Sequence, residues 1–151
     1  VVSPHQPFVF GPNGESMIIP ERINKGQTYY TVDDYTRGYR NQVIFISNQV
    51  LETVTKILQE SPQPPVIIIQ GDHGPSHFDK SDRMAILNAY YFPSTSPAFY
   101  PGITPVNSFR LFFNTYMNAN LDLLPDASYY SEYPYAYRFQ DMPNQCDSGS
   151  K

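Results

Sequence analysis

Four consecutive β-branched residues, Val66-Ile67-Ile68-Ile69, stand between the breaker run Ser61-Pro62-Gln63-Pro64-Pro65 and Gly71. A run this short, apolar throughout and closed on both sides by turn-forming residues, predicts a buried strand. A strand apolar on both faces suits the centre of a parallel sheet covered by helices on either side. Ligands of open α/β sheets bind at the carboxyl ends of such strands. Here that end reads Gln70-Gly71-Asp72-His73-Gly74, which sets a carboxylate beside an imidazole. Both side-chain types bind divalent metals. The flanking glycines let the chain turn sharply and approach a bound anion closely.

A chain of 151 residues is long enough for one domain with a real core. Its 10 basic and 14 acidic residues leave a net charge of −4 without a Lys/Arg cluster, which excludes an electrostatic nucleic-acid footprint. No stretch approaches the roughly 20 apolar residues of a membrane-spanning helix, and no signal-peptide pattern opens the chain. Its 15 prolines predict long loops, while 13 Tyr and 10 Phe are too many aromatics for a disordered segment. The single cysteine, Cys146, has no internal disulfide partner. The opening at Val1, just before His5-Gln6-Pro7-Phe8, reads as a piece of something longer.

Residues 1–33, rich in Pro, Gly and polar residues, predict irregular structure with one short strand at most. From 34 to 60, Tyr39, Val43, Ile46, Val50, Val54 and Ile57 recur in steps of three and four, one face of a helix, with Asp33 or Asp34 as its cap. Residues 74–82 read as loop, 83–92 as a second buried strand, and 93–102 as a proline-rich loop. Thr104-Pro105 is a helix start with the threonine hydroxyl as N-cap, and Val106, Phe109, Phe113 and Tyr116 continue that helix to Asn118. Residues 121–130 read as a connector, 133–139 as an edge strand, and 141–151 as a flexible tail. The fold class expected for 1–140 is therefore α/β, a three-layer, mostly parallel sheet flanked by helices.

The strand with its Gly-Asp-His-Gly end, the upstream His5-Gln6-Pro7-Phe8 and the intervening helix together resemble the C-terminal half of the sulfatase-like branch of the alkaline phosphatase superfamily. The nearest members are the lipoteichoic acid synthase-like phosphoglycerol and phosphoethanolamine transferases. The resemblance covers about residues 5–120 in order. It implies that Asp72 and His73 are ligands of a catalytic divalent metal (Mn, Mg or Zn), that His5 contacts the substrate's phosphate or sulfate, and that His77, in the loop after the pair, belongs to the same site. Ser47 stands about where helices of this family carry an Asp. The family's nucleophile, a Thr, Ser or modified Cys, and its other acidic ligand lie in an N-terminal half outside this sequence. The resemblance thus implies a fragment, inactive alone, of a metal-dependent phospho- or sulfo-transferase or hydrolase. Its partners are a phosphate or sulfate ester and the remaining half of the domain. It touches a membrane only through a parent protein at the extracytoplasmic face.

Other readings stand beside this one. Asp72 can cap the next turn while His73 packs on the sheet edge, leaving a noncatalytic α/β binding or scaffolding domain. A catalytic metal takes about three protein ligands plus an open position, so a self-contained site needs His77, Asp79, Asp82 or Glu15 in addition. The run Tyr129-Tyr130-Ser131-Glu132-Tyr133-Pro134-Tyr135-Ala136-Tyr137 is either an edge strand or a platform for a sugar or glycerol head group.

Overall fold

The structure, a computed structural model, describes residues 4–19, 22–24 and 27–143 and divides the chain into two units, Val1–Pro65 and Val66–Lys151. It is mixed helix and strand throughout.

The first unit is organised by α1 (Val32–Glu60). Its cap is Thr31, whose Oγ1 accepts the Asp34 backbone N–H at 3.2 Å. Asp33 and Asp34, expected as caps, lie instead in the first turn. Carboxylates there face the unsatisfied N–H groups and the positive end of the helix dipole. The apolar rhythm misses this start because Thr31 and Val32 precede the first core-facing residue. The stripe itself is where the spacing placed it as far as Val54, with Val43, Ile46, Val50 and Val54 half-buried, while Ile57 is exposed.

Packing is densest at the amino-terminal half of α1. Phe8, Ile19, Tyr30 and Tyr35 form the buried cluster, with Met17 and Tyr39 against it. The Phe8 ring meets Tyr35 edge-on at 5.2 Å, and Tyr35 stacks on Tyr39 at 5.9 Å. Gly38 makes this possible: a Cβ there would lie 2.4 Å from the Phe8 ring, so only a bare backbone lets the ring settle on the helix. Ahead of α1, a tight loop closes with Gly11 N–H on Glu15 O at 2.8 Å and Met17 N–H on Val9 O at 2.9 Å. β1 (Arg22–Asn24) then pairs antiparallel with β2 (Gln27–Tyr29), two short strands where the sequence of 1–33 predicted one.

In the second unit β3 (Ile67–Gln70) pairs antiparallel with β4 (Asn88–Tyr91), register Ile67↔Tyr91 to Gln70↔Asn88. Among the described residues every strand pairing is antiparallel, in three two-stranded sheets. Both strands, expected to be buried, are half-buried here with Tyr91 exposed, and an apolar run without alternation does not report the direction of its neighbour. The expected strand over 83–92 is shortened by α2 (Lys80–Met84), a helix of little more than one turn.

α3 (Pro105–Met117) begins where Thr104-Pro105 predicted, and Asn118 ends it in left-handed backbone with φ 51°. Tyr90, Phe92, Phe99 and Tyr116 form an aromatic cluster beneath it, Tyr90 on Phe99 at 4.4 Å and Phe92 on Tyr116 at 5.7 Å. The threonine hydroxyl does not cap the helix. It donates to the Asp126 carboxylate at 2.6 Å, because the chain after α3 folds back along it.

This return is held by asparagines one face of α3 presents at i and i+7. Asn107 binds both backbone groups of Leu124, at 2.9 and 2.7 Å, and Asn114 both of Leu121, at 2.7 and 2.8 Å. Each amide mimics a strand edge, donating and accepting at once. Asp126 closes the clasp, accepting from Tyr100 Oη, Thr104 Oγ1, Thr104 N–H and Asn107 Nδ2 within 2.6–3.0 Å. Desolvation pushes the Asp126 carboxyl up, but the hydrogen bonds from Thr104, Tyr100 and Asn107 prevail and hold it below the usual carboxylate range. A depressed folded pKa means stability that is present above the unfolded value of about 3.9 and lost as pH falls through the folded value. Thermal melting at pH 7 and pH 3 should therefore show a smaller acid-induced drop in Asp126→Asn than in the wild type. An equal drop in both would refute the assignment.

β5 (Ser128–Tyr130) and β6 (Gln140–Met142) pair antiparallel. The edge strand expected over 133–139 is corrected here: a 3₁₀ turn (Tyr133–Tyr135) occupies its start. Pro134 has no N–H for a ladder, and Tyr135 N–H turns back to Glu132 O at 2.7 Å. Of the tail expected over 141–151, residues 141 and 142 belong to β6, and 144–151 lie outside the described residues.

Candidate functional site

The ladder of β3 runs one step past the strand, Gly71 N–H donating to Leu87 O at 2.9 Å, so Asp72 and His73 emerge from a fixed point. The next residue is anchored as well. Gly74 N–H donates to Arg83 O at 2.8 Å, and a Cβ on Gly74 would lie 2.0 Å from the Asp82 carbonyl oxygen. Glycine is needed there for backbone packing on α2, since its φ is not positive. At Gly71, by contrast, an added Cβ meets nothing nearer than 3.6 Å.

Between these anchors the two side chains converge. His73 Nδ1 is 2.7 Å from Gly74 O. A carbonyl oxygen only accepts, so Nδ1 is the donor, and in the neutral ring Nε2 then carries the lone pair. That Nε2 lies 3.8 Å from Asp72 Oδ2, while Oδ1 of the same carboxylate accepts the His73 backbone N–H at 3.0 Å. The Asp72 side chain is 90 % exposed and that of His73 34 %, so both open to solvent.

The remaining candidates are elsewhere or otherwise engaged. Asp79 and Asp82 form a capping box at the start of α2, Asp79 accepting from Ser81 Oγ at 2.5 Å and Asp82 N–H at 2.9 Å. The Ser81 hydroxyl, then the Asp82 amide, hold the Asp79 carboxyl below its ordinary value. His77 is exposed, four residues past His73. Glu15 belongs to the first unit, where its Oε2 accepts Asn13 N–H at 2.8 Å. Among the described residues no group of three or more His, Cys, Asp or Glu side chains is placed to hold a metal.

His5 lies in the first unit, exposed, its Nδ1 2.5 Å from Gln6 O. What holds this arm is Gln42, 1 % exposed. Its Oε1 accepts Val9 N–H at 2.9 Å and Phe10 N–H at 3.4 Å, and its Nε2 donates to His5 O at 3.0 Å. Sequence reasoning missed Gln42. The signal was present as a second helix face, Tyr35, Gly38 and Gln42, whose polar member reads as surface until something folds over it.

No protein-family model, curated protein or solved structure matches the chain. Among the described residues no helix is long and apolar enough to cross a membrane.

Proposed function

We propose that Asp72 and His73 are two ligands of a divalent metal, Mn, Mg or Zn, in a sulfatase-like phospho- or sulfo-transferase or hydrolase of which this chain is the C-terminal portion. One observation carries the reading. His73 commits its Nδ1 proton to a backbone carbonyl, the arrangement that metal-binding imidazoles use to fix their tautomer, and the freed Nε2 lies 3.8 Å from Asp72 Oδ2. Two ligands of one cation with bonds near 2.1 Å stand about 3.0–3.5 Å apart. A small turn of the exposed Asp72 side chain covers the difference, so the pair fits the group as half of its ligand set.

When bound, a divalent cation neutralises charge on the nonbridging oxygens of a phosphate or sulfate ester and lowers the pKa of a coordinated nucleophile. Asp72 contributes negative charge and His73 a neutral nitrogen. The resemblance assigns His5 a contact to the oxygens of the transferred group, a role that needs a donating ring nitrogen. In this reading β3 is one strand of a larger, mostly parallel three-layer sheet completed by the N-terminal half, which also supplies the nucleophile. The parent protein acts at the extracytoplasmic face of a membrane on envelope or lipid-linked esters.

Metal titration of the full-length protein tests the proposal. Asp72→Ala and His73→Ala should each weaken Mn, Mg or Zn binding by about 100-fold or more, direct ligands mattering more than their supporting partners. Asp72 is exposed enough that its loss leaves the fold intact. Unchanged binding in both variants would leave the noncatalytic scaffold as the better account. The 151-residue chain alone should not turn over chromogenic phosphate or sulfate esters.

A further inference from the structure

Gly74 fastens the Asp72–His73 loop to α2 through Arg83 O at 2.8 Å, and α2 is fastened in turn to the β5–β6 hairpin. Lys80 makes that second link. Its Nζ lies 2.9 Å from Gln140 Oε1, 3.4 Å from Glu132 Oε1 and 4.8 Å from the Tyr130 ring centre. Between the two elements runs a groove of about 460 Å³ lined by Ser76, Arg83, Tyr130, Ser131, Glu132 and Tyr133, together with Ala136.

Tyr133 is 100 % exposed, a full aromatic face supported by no packing. The Arg83 guanidinium makes no ion pair with any described residue. Ser131 and Glu132 bring a hydroxyl and a carboxylate to the same wall. A second groove of about 480 Å³, lined by residues 133–138, shares Tyr133 with the first.

Flat aromatic faces accept the C–H side of a sugar ring, carboxylates and hydroxyls pair with its hydroxyl groups, and a guanidinium grips an anionic substituent through parallel N–H donors. Two grooves that share Tyr133 make room for more than one residue of a chain. We propose that Arg83, Glu132 and Tyr133 form a binding site for an anionic oligosaccharide, adjoining the Asp72–His73 pair. Its placement beside a reaction centre rests on the metal reading, whereas saccharide binding itself does not.

Calorimetric titration of the full-length protein with a galacturonate hexasaccharide, in the presence of a chelator, tests the site apart from any metal. Maltohexaose serves as the neutral control and linear polyphosphate as the purely ionic one. The galacturonate chain should bind, and Tyr133→Ala should weaken it by about tenfold, the equivalent of one lost ring contact. Arg83→Gln should remove the preference for galacturonate over maltohexaose. A ring exposed as fully as Tyr133 contributes nothing to folding, so its removal tests binding alone. No binding of the galacturonate chain would overturn the proposal. So would an unchanged affinity in Tyr133→Ala, or polyphosphate binding as tightly as the saccharide, either of which reduces the groove to a basic spot. An unchanged preference in Arg83→Gln would overturn the anionic assignment. Failure of the metal titration with success here would refute only the neighbouring reaction centre.

Discussion

Gly74→Ala should cost the second unit about 4 kcal/mol, roughly 3 from overpacking and 1 from a lost hydrogen bond. The new Cβ would lie 2.0 Å from Asp82 O and 2.7 Å from Ala85 O. Both are backbone atoms at the end of α2, so no rotamer change relieves the overlap. Relief requires breaking either the Ala85 N–H to Asp82 O bond or the Gly74 N–H to Arg83 O bond. Either rupture frees the loop carrying Asp72 and His73, so on the metal reading proposed above, cation binding by the full-length protein should fall with stability. Gly71→Ala is the built-in control: its Cβ would make only ordinary contact with Leu87, and surface-like changes of this kind stay within about 0.5 kcal/mol. Urea unfolding of the two variants side by side decides it. Equal midpoints would show that the close approach at Gly74 is not a structural necessity.

Gln42→Leu should destabilise the first unit by about 2–4 kcal/mol, although leucine nearly preserves the volume, because orphaned buried polar groups each cost about 1–3 kcal/mol. The amide answers three backbone groups, Val9 N–H, Phe10 N–H and His5 O. These come from an arm without a helix of its own, so nothing local replaces the lost partners. Limited proteolysis should cut within 5–10 far faster in the variant. A stability change under about 1 kcal/mol would mean that water satisfies the arm equally well. His5 thus sits on a segment pinned by a residue of α1.

Much of the helical architecture was legible because it rests on periodicity. The stripe Tyr39, Val43, Ile46, Val50 and Val54 marked the half-buried face of α1, and Thr104-Pro105 marked the start of α3. The elements misread were those governed by local polar chemistry. The capping box Asp79–Asp82 made a helix where a loop and strand were expected, and Pro134 with Glu132 made a 3₁₀ turn in place of an edge strand. For the site, adjacency in sequence announced Asp72 and His73 as a pair. It did not announce that Asp79 and Asp82 spend their carboxylates on each other's backbone, or that Gly74 serves α2 rather than an anion.

The division has a physical basis. Apolar spacing and backbone-restricting residues act over a few positions, so the amino-acid order alone dictated a long amphipathic helix, a β-branched strand closed by glycine, and a carboxylate next to an imidazole. Strand direction, the burial of Gln42 and the asparagine clasp of α3 on Leu121 and Leu124 depend on groups well separated in the chain. Hydrogen bonds of that kind have no period and no composition. They exist only once folding has brought a donor to its acceptor and excluded the water that would otherwise serve both.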